Sequence, residues 1–192
     1  DGKVVAMIGL AGDVLYRDCR ALPCADTRLP IDAASLALSP DGALLAVAGS
    51  DGTVLISKIG SAAGANFVPL DDKAVALAWS ADGHHLAIGT AAPALALVDP
   101  DSTAPPTGVP LEVKPAVLAW SPDAATLAVN CTGNDICLLD ATGTLHARLA
   151  GHVGPISLLR WSGDGTSLAS AARNDALRLW TATPSPGLAG VR

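Results

Sequence analysis

The chain has 192 residues, of which 50% are hydrophobic and only 16% are charged. This composition supplies enough apolar side chains for a packed core and too little charge for a disordered chain. The net charge is -6, with twelve basic residues scattered among eighteen acidic ones, so binding to nucleic acid or to an anionic membrane surface is disfavoured. No apolar run approaches the roughly 18 residues of a membrane span. We expect a cytoplasmic protein whose N-terminus is part of the fold and not a signal peptide.

One phrase recurs along the chain in the forms LALSPDGALLAV, AWSADGHHLAIG, AWSPDAATLAVN and RWSGDGTSLASA. Its serine recurs every 41 residues. An Asp two places after the serine and a Leu-Ala pair further on recur with the same 41-residue spacing. Such self-similarity predicts a repeat architecture. In chain order we expect a partial repeat over 1–29, which begins after its first strand, and then repeats over 30–67, 68–108, 109–149 and 150–190 of one domain, 1–192.

Each period contains short apolar runs separated by turn residues. In the third copy, AVLAW, TLAVN and ICLLD are three strand candidates, and SPDA and TGND are the turns between them. The stretch TGTLHARL can form a fourth strand, and no segment has a sustained helical period. A single four-stranded sheet cannot bury both of its faces, but radial repetition lets each sheet pack on the next. The sequence therefore predicts an all-β chain that forms a β-propeller of four-stranded antiparallel blades.

The fourth copy resembles the WD-repeat family of β-propellers. It contains Gly151-His152 near its start and ends in LRLW at Trp180, within a period that matches that family. The resemblance implies a buried hydrogen-bonded set of His152, Ser170, Asn174 and Trp180 that ties the blade together. Asn174 stands in the slot of the family's Asp, with Asp175 one place later, so the set either lacks its carboxylate or uses Asp175.

The resemblance also implies a non-catalytic scaffold that binds protein partners, as a domain or fragment of a larger protein or complex. Seven blades are usual in that family, so we expect residues 1–192 to form an open arc. The remaining blades would come from the same longer chain or from another chain. The turns between second and third strands present an interaction rim, for which we select Ser50, Thr132 and Arg173. Arg173 is the only cation of the three, and its guanidinium suits an anchoring role.

The sequence contains no recognisable constellation for catalysis, for a metal or for a cofactor, and we expect none of the three. The innermost strand candidates hold no acid and no His, which argues against a second hypothesis, a propeller hydrolase or metal-dependent enzyme whose site lies in missing blades. A third hypothesis is a secreted or periplasmic propeller with two hairpin disulfides. Four cysteines form two closely spaced pairs, Cys19 with Cys24 and Cys131 with Cys137. We expect free thiols, although both pairs flank turns.

Overall fold

A computed structural model describes residues 2–61 and 66–181. The prediction of an all-β fold is confirmed: the described residues form five antiparallel sheets, and their only helical element is a short 3-10 turn at Thr132–Asn134. The first two sheets contain β1 (Val4–Ile8), β2 (Val14–Asp18) and β3 (Ala25–Leu29), then β4 (Ala33–Leu38), β5 (Leu44–Gly49), β6 (Val54–Lys58) and β7 (Asn66–Val68). The third contains β8 (Ala74–Trp79), β9 (Leu86–Thr90), β10 (Ala94–Val98) and β11 (Thr107–Pro110). The fourth contains β12 (Leu118–Trp120), β13 (Leu127–Asn130), β14 (Ile136–Leu139) and β15 (Leu145–Leu149), and the fifth contains β16 (Ile156–Trp161), β17 (Ser167–Ala172) and β18 (Arg178–Thr181).

Each sheet is a meander in which consecutive strands pair in sequence order. From the second sheet onward, the first strands of neighbouring sheets lie side by side, with β4 beside β8, β8 beside β12 and β12 beside β16. In the first sheet β1 contacts β4 as β5 contacts β8, so β1 corresponds to a second strand. The sheets are therefore blades that follow one another around an axis, as predicted. Residue 1 and the C-terminal stretch from residue 182 lie outside the described residues.

Four apolar cores lie between successive sheets and not within any one of them. The core between the second and third sheets combines Val54 and Ile56 of one sheet with Trp79, Leu86 and Ile88 of the next. Residues that alternate along a strand point to opposite sides, so the central strands of the second, third and fourth sheets each contribute to two cores. This explains why the strands are almost continuously apolar, with few of the polar residues that a solvent-facing side would carry.

An indole N–H of each of the last three sheets donates a hydrogen bond to the sheet before it. Trp79 Nε1 donates a hydrogen bond of 3.0 Å to the carbonyl oxygen of Ala37, and Trp120 Nε1 donates one of 3.1 Å to Ala78. Trp161 makes the same 3.1 Å bond to Ala119. The repeated phrase places these tryptophans at one repeat position but does not indicate their partners. The 41-residue spacing of Trp79, Trp120 and Trp161 was the available signal.

The repeated phrase forms the turn between the first and second strands. Ser80 Oγ donates to Asp82 Oδ1 at 2.5 Å and accepts the backbone N–H of His85, and Asp82 also accepts the N–H of His84. The same pattern recurs in the turns of Ser39, Ser121 and Ser162. The turn thus satisfies backbone groups that would otherwise have no partner at the ends of two strands. That requirement explains why one phrase occurs four times.

The expectation of free thiols is wrong. Cys19 forms a disulfide with Cys24, and Cys131 forms one with Cys137, with Cα–Cα distances of 4.3 and 5.7 Å. Both distances fall in or close to the range that a disulfide spans. Neither sequence spacing revealed this, because the approach of the two Cα atoms depends on the shape of the turn between them.

Candidate functional site: the turn rim and the buried hydrogen-bonded set

The turns between the second and third strands of the blades lie at the same end of each sheet. We call the four residues at their shared position, Ser50, Ala91, Thr132 and Arg173, the turn rim. The backbone N–H of Ser50 donates to Asp32, that of Ala91 to Lys73 and that of Arg173 to Pro155, with N···O distances of 2.7 to 3.0 Å. In the remaining repeat the side chain of Asn130 donates to the corresponding carbonyl, that of Lys114. These bonds join each turn to the connection that leads into the same blade.

The side chains of two predicted rim residues form hydrogen bonds with neighbours in the same repeat. Ser50 Oγ donates to Asp32 Oδ2 at 2.6 Å, and Thr132 Oγ1 donates to Glu112 Oε2. The Thr132 hydroxyl, together with Arg148, holds the pKa of Glu112 below its usual range. Each hydroxyl therefore uses its one donor hydrogen to fix a loop of its own repeat.

Arg173 differs from the other two rim residues. Its side chain is exposed, and no carboxylate in residues 2–61 and 66–181 forms an ion pair with it. Asp175 and Asp164, the two acids closest in sequence, accept hydrogen bonds from His152 and Ser162 respectively. Val153, beside the connection that Arg173 contacts, is 76% exposed. The rim thus presents an exposed cation, and the connection that its backbone contacts carries an exposed apolar side chain.

The fifth sheet contains a set of linked hydrogen bonds close to the turn of Arg173. Asp175 Oδ2 lies 2.6 Å from His152 Nδ1, and Ser170 Oγ lies 2.7 Å from His152 Nε2. Trp180 Nε1 donates to the same Ser170 oxygen at 2.8 Å. Because Asp175 only accepts at neutral pH, the Nδ1 of His152 carries the proton, and the Ser170 hydroxyl donates to Nε2. Every polar group of the set has a partner.

The carboxylate of this set comes from Asp175 and not from Asn174. Asn174 has a positive φ of 56° and occupies the left-handed position of the turn, which Asn tolerates better than most residues. That conformation brings the next residue, Asp175, under His152. Asp175 also accepts the backbone N–H groups of Val153 and Ala176. With the His152 bond as the largest cause, these contacts lower the pKa of Asp175 to about 2.

Two segments of the chain, residues 32–56 and 143–181, match the family described as WD domain, G-beta repeat. The second segment contains the whole hydrogen-bonded set. The match confirms the resemblance to WD repeats over these two segments. No curated protein matches the sequence.

WD repeats generally mediate protein–protein interaction, and the family is typically non-catalytic. In this chain the Asp175, His152 and Ser170 side chains resemble a catalytic relay in their order. However, Ser170 and His152 are buried, and the Ser170 oxygen already accepts the Trp180 N–H. A serine nucleophile needs a free path to the substrate. The set therefore stabilises the blade and is not an active site.

Within 2–61 and 66–181, no group of three or more His, Cys, Asp or Glu side chains is arranged to hold a metal ion. A groove along the ends of the inner strands is lined by Trp79, Trp120 and Trp161, with Arg160 as its one charged residue. No helix in the described part of the chain is long and apolar enough to cross a membrane.

Proposed function

We propose that this chain is a non-catalytic scaffold that binds a protein partner through the turn rim, with Arg173 as the anchoring cation. The observation that carries the proposal is the uncommitted guanidinium of Arg173, exposed at a rim where the Ser50 and Thr132 side chains are already bonded. Its backbone bond to Pro155 holds the residue at the turn, while the exposed side chain forms no ion pair within residues 2–61 and 66–181.

The chemistry of the rim suggests the class of partner. A guanidinium presents two parallel N–H donors, which match the two oxygens of a carboxylate. Val153 beside it offers an apolar contact of the kind that surrounds an anchoring charge in an interface. We therefore propose a partner segment in which an Asp or Glu lies next to an apolar side chain.

Charge reversal at Arg173 tests this proposal. Partners that the wild-type chain captures would be measured against Arg173→Glu and Arg173→Lys, with unfolding of each variant recorded to show that the fold is intact. We expect loss of binding with Glu and a partial loss with Lys, which cannot form the two-pronged contact. Lys58→Glu, the same charge reversal at the opposite end of the sheets, is the matched control and should bind normally. Undiminished binding by folded Arg173→Glu would remove Arg173 from the interface.

The two disulfides favour a second proposal, on the compartment. We expected a cytoplasmic protein, but disulfides persist mainly in oxidising compartments and are rare in the cytosol. We propose that the chain works as a secreted or periplasmic scaffold. A thiol count on the protein isolated from its source, under denaturing and non-reducing conditions, should give no free thiol. Four free thiols would support the cytoplasmic expectation instead.

A further inference from the structure

The two disulfides differ in their exposure to solvent. Cys24 is exposed and Cys19 is half-buried, whereas Cys131 and Cys137 are only 5% and 2% exposed. The rate of thiol–disulfide exchange depends on the access of an attacking thiolate to one of the two sulfur atoms. A dissolved thiol can therefore attack the Cys19–Cys24 bond in the folded chain far more readily than the Cys131–Cys137 bond.

The exposed disulfide closes the loop between β2 and β3. Asp18 faces Ala25 in the last pair of that ladder, so Cys19 and Cys24 form the next facing pair. The bond encloses four residues, of which Arg20 is the first. The other three are exposed at the tip of the loop. The disulfide thus fixes the position from which the Arg20 side chain leaves the first sheet.

The side chain of Arg20 joins the first sheet to the second. Its Nη2 donates to the carbonyl oxygen of Ile59 at 3.0 Å, and its Nη1 donates to that of Gly42 at 3.4 Å. Asp18 accepts from Nε and Nη2 at 2.9 and 2.8 Å and so orients the guanidinium. Gly60 leaves the space that the guanidinium needs, because a Cβ there would lie 3.3 Å from Nη2. We call these contacts the Arg20 clamp.

The clamp lies at an interface that has no indole bond. Trp79, Trp120 and Trp161 each donate to the preceding sheet, but the second sheet has Leu38 at this repeat position. A leucine side chain has no N–H to donate. The Arg20 clamp therefore supplies side-chain hydrogen bonds to the one pair of neighbouring sheets whose later sheet lacks the tryptophan.

We propose that Cys19–Cys24 is a thiol–disulfide exchange site, which a dithiol reduces in the folded chain, and that its reduction releases the Arg20 clamp and loosens the first sheet from the second. The co-reactant is a dithiol, because exchange with a second thiol completes the reduction. The inference does not rest on the turn rim or on the compartment, since it compares two bonds of the same chain.

The reaction proceeds in two exchange steps. A thiolate of the dithiol attacks Cys24 Sγ, the Sγ–Sγ bond breaks, and its electron pair leaves on Cys19 Sγ, which takes up a proton. The second thiolate of the dithiol attacks its partner sulfur in this mixed disulfide and releases the Cys24 thiolate, which also takes up a proton. The chain gains two electrons and two protons, and the dithiol loses both as it forms its own disulfide.

Selective reduction under native conditions tests the first part of the proposal. The chain is oxidised with glutathione disulfide, treated with dithiothreitol, and alkylated at intervals, and mass spectrometry locates the modified cysteines. We expect Cys19 and Cys24 to be modified about tenfold or more faster than Cys131 and Cys137. Equal rates for the two pairs, or failure of Cys19 and Cys24 to form the disulfide in the oxidation step, would overturn the proposal.

Hydrogen exchange of the partly reduced chain tests the release of the clamp. We expect the amides of β1 and β2 to exchange about tenfold or more faster once Cys19–Cys24 is reduced, because the loop loses its cross-link. The amides of the fifth sheet should exchange as before. The double variant Cys19→Ser, Cys24→Ser should show the faster exchange without reductant, and Cys131→Ser with Cys137→Ser is the matched control that should keep the exchange of β1 and β2 unchanged.

Substitution of Arg20 separates the clamp from the disulfide. Arg20→Leu keeps both cysteines, so the order of alkylation should stay the same, while β1 and β2 should exchange faster even in the oxidised chain. Arg20→Lys retains one donor group and should give a smaller acceleration. The proposal is overturned if reduction of Cys19–Cys24 leaves the exchange of β1 and β2 unchanged, or if oxidised Arg20→Leu exchanges like the wild-type chain.

Discussion

Ser170 in the last repeat occupies the position that Val129 occupies one repeat earlier, and both side chains are buried against the preceding blade. In the same register His152 corresponds to Leu111, and Trp180 to Leu139. The third-repeat residues Leu111, Val129 and Leu139 meet in one apolar cluster. The hydrogen-bonded set is thus replaced, as a unit, by an apolar one of similar extent.

This replacement predicts strongly non-additive mutations. Ser170→Val alone should cost about 2 kcal/mol of unfolding free energy, because it leaves the Trp180 N–H and a nitrogen of His152 without partners. The triple variant His152→Leu, Ser170→Val, Trp180→Leu should be more stable than the sum of the three single changes predicts, by about 1–3 kcal/mol. Urea unfolding of the singles and the triple measures this difference. If the unfolding free energy lost by the triple variant equalled the sum of the three single losses, the apolar set would not be replacing the hydrogen-bonded set as a unit.

The depressed pKa values predict acid sensitivity. The bonds to Asp175 lower its pKa to about 2, and the hydroxyl of Ser162, with the backbone of Thr166, lowers the pKa of Asp164 to about 2. In the unfolded chain these carboxyls titrate near 3.8. Between those values the unfolded state binds more protons, so the stabilisation is full above about pH 4 and is lost as the pH falls towards 2.

We therefore expect the unfolding free energy to fall less steeply between pH 4 and 2 in Asp175→Asn and in Asp164→Asn than in the wild-type chain. Asp71→Asn, which changes an exposed carboxyl outside these turns, is the control and should keep the wild-type slope. Unfolding at a series of pH values checks the expectation. Slopes that match the wild type in all three variants would exclude a stabilising role for the two depressed carboxyls.

The repeated turn predicts that two substitutions have opposite effects on stability. Gly83 has a φ of 77°, and a Cβ added there would meet no atom within 4 Å, so Gly83→Ala tests backbone conformation alone. It should cost about 1 kcal/mol, the penalty for an L side chain in the left-handed region. Ala124 holds the same turn position with a φ of 58°, and Ala124→Gly should stabilise by up to about 1 kcal/mol. Equal stability of Gly83→Ala and the wild type would show that the turn adopts another conformation.

The indole bonds between blades predict that removing each bond lowers the unfolding free energy modestly and independently of the others. Trp79→Phe and Trp120→Phe each keep most of the aromatic packing but remove the N–H that Ala37 and Ala78 accept. Each should cost about 0.5–1.5 kcal/mol, and the double variant should lose close to the sum, because the two bonds lie at different interfaces. Phe variants with wild-type midpoints in urea would show that the bonds contribute nothing.

The architecture was predictable because a repeated sheet produces a regular spacing of the same residues in the sequence. A fixed phase of Ser, Asp and Leu-Ala along the chain is sufficient to predict the blades and their antiparallel strands. The details of single turns were not predictable. The use of Asp175 instead of Asn174 depends on one positive φ, and the Cys131–Cys137 bond depends on a 3-10 turn that the residues between them form.

The candidate site could be located only in part. The positions of Ser50, Thr132 and Arg173 follow from the repeat phase, but the partners of their side chains do not. Asp32 and Glu112 lie 18 and 20 residues away along the chain, at the start of the same blades. A single sequence gives no way to decide which hydroxyl is bonded within the molecule and which cation is left exposed.

The most direct test of a partner-binding rim is amide hydrogen exchange of the chain with and without a captured partner. The account predicts slower exchange in the turns around Ser50, Thr132 and Arg173, with the largest effect at Arg173. The turns of Ser39, Ser80, Ser121 and Ser162, at the opposite ends of the sheets, should exchange as in the free chain. Protection confined to those opposite turns, with no change around Arg173, would contradict the account.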